Sequence, residues 1–586
     1  MSTPAARMPE ASSPGDGPGF ESPPPTPQSE MDAAIRRLRD GAQAFARLSV
    51  DGRIRLCEQM QRGCLRVAGR SVEAGCRAKG IEAGTPAEAE EWATGPWGVV
   101  RQLRLLRESL RAIKAEGNTR VGTVARTADG RLSVRVFPGN AIDRLLFKDV
   151  TVDVRMQAGV TGEKLAETRA SFYKRPLQEG AVVLVLGAGN IASIPSMDVI
   201  TKMFNEGKVC LLKMNPVNAY IGPFIEEAFA EPIRRGFLAV VYGGAQEGGY
   251  LTRHAGIDEV HITGSDRTHD AIVWGPRGRP TGSAAPGSQP SLTKPITSEL
   301  GNISPVIVVP GPYNERELRF QGEDAASYVV MNASFFCNAA KMLVLPKRWR
   351  GSDTFVQAVK NACRAVPPRR AYYPGAQERW RTLTAGRTQV ETLGTAGPGT
   401  LPWTFVSGLD AGDRSDPLFS VEPFCSLVSE VRVGSADPIE FLDRAVDFVN
   451  EGLWGTLSAT LVVHPRSMRD PVIGPAVEQA IARLRYGFVS VNGFSGLGFV
   501  FASPPWGAYP GSTLDDIQSG RGFVHNTAML EGVEKVVMRY PLTSFPKPGY
   551  FVTHRTAHKV VPRIVAMEEA GGWGKVPGIV LNAMRG

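Results

Sequence analysis

The chain has 586 residues, 42% of them hydrophobic and 21% charged, with a formal net charge of +9. That length exceeds one compact core and predicts two or three packed units of ordinary soluble composition. The positive charge is spread thinly, without a dense Lys/Arg run or interleaved aromatic residues, which argues for a solvated basic face and against a nucleic-acid-binding surface.

Residues 1 to about 30, with the segment ESPPPTPQSE, are rich in Pro, Ser and Gly. They read as a disordered leader, because such a stretch lacks the apolar surface needed to order itself. The N-terminus has no apolar core of the signal-peptide kind, and no apolar run approaches the roughly 18 residues of a membrane span. From Met31 to about Ala115 apolar residues recur every three or four positions, as in MDAAIRRLRDGAQAFARL and VVRQLRLLRESLRAIKA. This spacing predicts amphipathic helices.

The pattern then changes. AVVLVLGAG (181–189), KVCLLKM (208–214), FLAVVYGG (237–244), EVHITGS (259–265) and SPVIVVPG (304–311) are short apolar runs rich in β-branched residues. Helical stretches such as SMDVITKMFNEG separate them. Strands buried on both faces read as continuous apolar runs, and their alternation with helices predicts βαβ units and a parallel sheet. Ligands of such sheets sit beyond the carboxyl ends of the strands. GAGNIA (187–192) lacks the third glycine of the GxGxxG dinucleotide fingerprint. GPRGRPTGSAAPGSQPS (275–291) reads as a long surface loop. A further βα region extends to about residue 510, EGVEKVVMRYPL (531–542) reads as an exposed strand, and the remaining tail shows no clear period.

Seven cysteines, Cys57, Cys64, Cys76, Cys210, Cys337, Cys363 and Cys425, are odd in number, scattered and without a CxxC pair. That argues against a disulfide framework or structural zinc, and for a reducing compartment such as the cytoplasm. None of the seven histidines forms an HExxH pair, and no metal site is expected. His554 and His558, in THRTAH, read as surface residues. No GxSxG elbow or P-loop appears.

Five pieces can carry chemistry. Cys337 in NASFFCNAAKM (332–342) has small neighbours that allow close backbone approach and two phenylalanines fit to wall a pocket; a lone cysteine is otherwise a small buried hydrophobe. Glu299 in PITSELGNISPVIV stands beside an apolar strand, where a carboxylate is costly unless paired or functional. Asn190, after the first strand, is placed to donate to an oxyanion, or simply to fill a turn. Lys213 closes the second strand, and Glu422 and Phe424 in EPFCSLVSEV precede another.

In this order and spacing the pieces resemble the NAD(P)-dependent aldehyde dehydrogenase superfamily, from roughly Met31 to Pro541. The family's FTGS turn appears as HITGS, ELGGKSP as ELGNISP, NxGQxC as NASFFC, ExFGP as EPFCS, the later VN turn as SVNG with Asn492, and PFGG as PPWGAYPG with Trp506 and Gly507. The resemblance implies a mixed α/β fold: a Rossmann-type cofactor domain (31–300), a catalytic domain (301–520), and a small β extension. That extension combines a hairpin near 145–178 with the late strand of the 521–586 segment, and in the family it pairs sheets between subunits, which implies a homodimer or homotetramer. It assigns Cys337 as the nucleophile, Glu299 as the base that activates water, and Asn190 as an oxyanion donor. NAD or NADP is implied as cofactor, with Lys213 at its ribose, Thr263, Gly264 and Ser265 at its pyrophosphate, and Glu422 and Phe424 at the nicotinamide end. The substrate implied is a small-molecule aldehyde.

Several positions depart from the family. Pro216 stands where NAD-preferring members carry a glutamate, which removes a repulsion of a 2′-phosphate. Ser334-Phe335 replaces Gly-Gln, and Cys425-Ser426 replaces Gly-Pro. Arg277 and Arg279 lie in the long loop, as phosphate partners or as ordinary loop residues. Two other readings stand beside hydrolytic aldehyde oxidation. One is a CoA-acylating relative or acyl-CoA reductase, a class that commonly lacks the glutamate. The other is a catalytically silent subunit, which tends to lose the cysteine or the glutamate.

Overall fold

A computed structural model describes residues 22–175, 179–276, 278, 289–570 and 573–586. The leader up to residue 21, together with Arg277 and Arg279, lies outside the described residues. The leader is not featureless throughout: Thr26 exchanges two hydrogen bonds with Tyr242, its N–H donating to the carbonyl at 3.1 Å and its hydroxyl accepting the Tyr242 N–H at 2.9 Å. The first helix already starts at Gln28 and runs to Ala46, burying Met31, Ile35, Leu38, Ala42 and Phe45 along one stripe. Two longer helices follow, Val50–Lys79 and Gly98–Glu116.

Two sheets organise the rest. The smaller has six strands in the order 520–521, 296–299, 259–263, 182–186, 209–213, 238–241. All are parallel except Gly520–Arg521, which runs antiparallel to Ile296–Glu299. Val182–Leu186 and Val209–Lys213 are buried at every position, which is why they read as unbroken apolar runs.

The larger sheet has eleven strands. Seven, from Trp403–Leu409 to Val533–Arg539, form its parallel centre. Alternate residues of Ala340–Pro346 serve two cores. Leu343 and Leu345 pack with Val329 and Phe355, whereas Met342 and Val344 face Phe441 and Val477.

Three expectations need correction. Among the described residues of 145–178 only Thr151–Met156 is a strand. It pairs with Leu132–Phe137 upstream, while the expected second strand is replaced by the helix Gly162–Thr168, entered by the Thr161 hydroxyl accepting the Lys164 N–H at 3.1 Å, and a short helical turn, Ser171–Lys174. The late strand joins Thr151–Met156 in one extension, but it is not exposed: Val533–Arg539 is buried between Phe488–Val491 and Thr151–Met156. Finally, the tail is not aperiodic coil but two helices, Ala557–Ala570 and Val576–Ala583. His554 beside them is fully buried and accepts the Thr556 N–H, and so is no surface residue.

Candidate active site

Between the two sheets lies a cleft of about 1350 Å³. Asn190, Lys213, Thr263, Gly264, Ser265, Glu299, Cys337, Glu422 and Phe424 all line it. A second cavity of about 350 Å³ approaches from the opposite side, walled by apolar residues of which Phe336 is one. Among the described residues Cys337 is the one that lines both.

The loop that presents Cys337 joins helix Glu315–Val330 to strand Ala340–Pro346. Asn332, Ala333 and Ser334 all take left-handed backbone angles, with φ of 51°, 53° and 69°. A non-glycine residue there costs roughly 1–2 kcal/mol. Specific bonds hold the loop. The Asn332 N–H donates to Glu90 at 2.7 Å, its Nδ2 donates to the carbonyls of Asn190 and Phe335, and its Oδ1 accepts from Lys79 at 3.0 Å and the Tyr372 hydroxyl at 2.9 Å. Lys341 Nζ, on the following strand, donates to the Ser334 carbonyl at 2.8 Å.

Charge around the thiol is finely set. Burial pushes the Cys337 thiol well above its ordinary value, Glu299 and Glu422 push it further, and Lys341 pulls it down. Lys341 is itself fully buried, and burial lowers it to about 8 against the pull of Glu422. Glu299 ends the strand Ile296–Glu299 and is fully buried. Its Oε1 accepts the Trp506 indole N–H, and its Oε2 has no partner. Burial, then the nearby Asp198, raise its carboxyl well above the usual range.

Asn190 lines the cleft; its amide donates one N–H to the Phe335 carbonyl at 2.9 Å and has a second to give. Lys213 is buried at the end of its strand, and burial lowers it to about 8. Ser265 caps the helix Asp266–Trp274, its Oγ accepting the Thr268 N–H, so the positive end of that helix adjoins the cleft. Gly264 donates to the Glu299 carbonyl at 3.0 Å. The hydroxyl of Thr263 turns the other way, to Asp198 at 2.8 Å, so only the remainder of the residue adjoins the cleft.

Glu422 is raised to about 7 by burial, and its Oε1 is buried without a partner. A Cβ on Gly301 would fall 2.1 Å from its other oxygen, so the Gly of ELGN is required for this carboxylate to sit there. Phe424 packs against Tyr373 and Phe335, at centroid distances of 4.9 and 5.6 Å. The two phenylalanines before the cysteine therefore part company: Phe336 lines the apolar cavity, whereas Phe335 is buried in the catalytic-domain core.

Two residues at the site carried no role in the sequence reading. Lys341 gave a signal, a lysine inside the otherwise apolar run AKMLVLP. Trp506 stood in a recognised turn, but nothing in the sequence aims its indole at Glu299.

Residues 148–375 match the sequence profile of the aldehyde dehydrogenase family. N-succinylglutamate 5-semialdehyde dehydrogenase of Ectopseudomonas mendocina is 25% identical over 223 residues, which is 36% of this chain and 41% of that relative. The chain thus matches less than half the length of this curated relative. NADP-dependent glyceraldehyde-3-phosphate dehydrogenase of Bacillus halodurans, solved with NADP, superposes with a TM-score of 0.58 at 16% identity, over 88% of this chain and 92% of that one. An NAD-dependent aldehyde dehydrogenase of Sinorhizobium meliloti superposes with a TM-score of 0.56 at 18% identity, over 88% of each chain. Residues 148–375 are thus similar to the aldehyde dehydrogenase family, and the chain shares the fold of these solved dehydrogenases at low identity.

Proposed function

We propose that the chain oxidises an aldehyde to the carboxylic acid with NAD or NADP. The observation that carries this reading is the position of Cys337 as the one thiol facing both the cleft and the apolar cavity. An aldehyde entering from the cavity meets the sulfur from the side opposite the cofactor.

The cleft suits a dinucleotide. The positive end of the helix starting at Asp266 adjoins the cleft where a pyrophosphate would lie, Gly264 keeps that approach open, Lys213 offers a cation, and the orphaned Glu422 oxygen can accept from a ribose hydroxyl. Bound there, the cofactor supplies a hydride acceptor.

The chain's own residues do the rest. The Cys337 thiolate attacks the carbonyl carbon and forms a thiohemiacetal. The second Asn190 N–H and the Cys337 backbone N–H stabilise the oxyanion, a pair worth roughly 3 kcal/mol per donor. After oxidation the acyl group is a thioester on Cys337. Glu299, held by Trp506 and raised above the usual carboxylate range by burial, takes a proton from the water that releases the acid. All seven cysteines are free, which supports the cytoplasm as compartment. A homodimer or homotetramer rests on the family resemblance, since the β extension is already paired within the chain.

The test is an aldehyde panel with both cofactors on the purified full chain, beside Cys337→Ala and Glu299→Gln. Reduced cofactor and free acid are expected, with turnover lost in the first variant and acid release slowed in the second. Undiminished turnover in Cys337→Ala overturns the mechanism. An acyl product formed only with CoA replaces hydrolysis by thiol transfer, and no turnover with any aldehyde makes the chain a silent subunit.

A further inference from the structure

The apolar cavity behind Cys337 is built from two distant parts of the chain. Its inner wall is Phe336, Phe494, Phe499 and Trp506, with Trp97 and Leu146 beside them. Its outer wall is the C-terminal segment, through Tyr550, Val560, Val561, Ile564 and Ile579.

The outer wall is fixed in place. Glu568, on the helix Ala557–Ala570, accepts from Arg101 at 2.8 Å, from Arg104 at 2.5 Å and from the Trp97 indole at 3.2 Å. All four side chains are buried. An ion pair so enclosed costs a great deal to separate. The tail is therefore a permanent side of the cavity.

The polar groups along the wall are engaged with one another. Glu90 is held by Arg369 at 2.5 Å and by the Asn332 N–H. Asn338 donates to Ser495 at 3.0 Å, Thr94 to the Glu90 carbonyl at 2.7 Å, and Lys547 to Glu323 at 2.7 Å. Lys148 is exposed at the rim. Ser544, a neutral hydroxyl, is the one lining side chain with an oxygen buried and unpartnered among the described residues. Among the described residues no cation or anion inside the cavity is without a partner to receive a charged tail.

We infer that this cavity takes the hydrocarbon tail of the substrate, so that the chain acts on long unbranched or aryl-substituted apolar aldehydes and rejects semialdehydes that carry a carboxylate. This rests on the aldehyde dehydrogenase reading above. Each methylene moved from water into the cavity multiplies kcat/KM by about fourfold, until the cavity is full. A buried carboxylate without a partner opposes binding by about a hundredfold or more.

The experiment measures kcat/KM on the full chain for straight-chain aldehydes from acetaldehyde to decanal and for succinic semialdehyde. In parallel it measures how far decanol and succinate slow alkylation of Cys337 by iodoacetamide; the other six cysteines are buried. Rising kcat/KM with chain length and protection by decanol alone are expected. Val561→Asp, which sets a charge in the outer wall, is expected to flatten the chain-length profile, and the protection assay on the unmodified chain does not depend on that variant folding. A flat profile, or a preference for the semialdehyde, with turnover intact overturns this inference and leaves the dehydrogenase reading standing. Protection by decanol with no turnover of any aldehyde overturns the dehydrogenase reading and leaves the cavity assignment standing.

Discussion

The indole N–H of Trp506 donates to one carboxylate oxygen of Glu299, while the other oxygen is buried with no partner at all. A carboxylate with a single donor is poorly stabilised as an anion, and burial already raises it. Trp506 thus sets both where the base points and when it ionises. Replacing it by phenylalanine removes the donor and keeps an aromatic ring against Phe488 and Phe499. A hydrogen bond to a charged group contributes about 1.5–3 kcal/mol, which corresponds to about one to two pH units. In the proposed mechanism Glu299 works as the ionised base, so Trp506→Phe is expected to move the acidic limb of the kcat profile to higher pH by that amount. Steady-state pH profiles check this, with a preserved burst of reduced cofactor marking an intact first half-reaction.

Lys341 is the cation that counteracts Glu299 and Glu422 at the thiol. Its loss raises the Cys337 pKa and reduces the thiolate fraction at a given pH. Lys341→Met is expected to slow alkylation of Cys337 at neutral pH by about tenfold, the factor carried by one pH unit. Rates of iodoacetamide modification from pH 6 to 10 read the shift directly, and an unchanged profile would show that the lysine serves the Ser334 carbonyl alone.

Lys213 is lowered to about 8 by its burial. Its positive charge is full well below that pH and disappears as pH rises through it. With Pro216 in place of an acidic neighbour, affinity for NADP is expected to fall across that range more steeply than affinity for NAD. Lys213→Met should weaken NADP by roughly tenfold or more, the loss of one charge-assisted bond, and flatten its pH dependence. Fluorescence titrations of both cofactors between pH 6.5 and 9.5 decide it.

Glu568 joins the tail to the body through Arg101 and Arg104. Burial pushes its carboxyl up, but the two guanidinium groups hold it below the usual range. The depressed value gives the sign: the stabilisation is complete above about pH 4.3, the unfolded value, and is lost as pH falls through the lower folded value. Glu568→Gln leaves two buried arginines short of their partner and is expected to cost about 3–5 kcal/mol. Chemical denaturation measures this, and early proteolysis after residue 540 would locate the loosening in the tail.

The legible parts of this molecule are those where burial leaves a regular trace. Val182–Leu186 and Val209–Lys213 are enclosed on both faces, so every position is apolar and the strands announce themselves. The candidate site residues, which line one cleft, were singled out because their spacing resembles a family, not because any one of them looks catalytic. The tail helix escaped notice for a physical reason. Val560, Val561, Ile564, Val565 and Met567 are buried over a broad face, the exposed stripe of Lys559, Arg563 and Glu569 is narrow, and Pro562 lies inside the helix as an apparent breaker. The hairpin was misplaced because DVTVDVRM gives a clear strand but does not name its partner, and LSVRVF upstream competes with the sequence downstream. The turning of the Thr263 hydroxyl toward Asp198, and the separation of Phe335 from Phe336, are matters of side-chain direction within a correctly placed segment.

The pairing of Val533–Arg539 with Thr151–Met156 also bears on how the molecule is made. On the ribosome, residues 132–156 emerge long before the strand Val533–Arg539 with which they pair. Until then the hairpin and the edge of Phe488–Val491 are both unpaired, each a template for wrong association. Closure across so long a stretch of chain is slow by its topology. A chain interrupted before residue 533 would keep Cys337, Glu299 and the six-stranded sheet in sequence, yet part the Thr151–Met156 edge of the large sheet from its parallel strands.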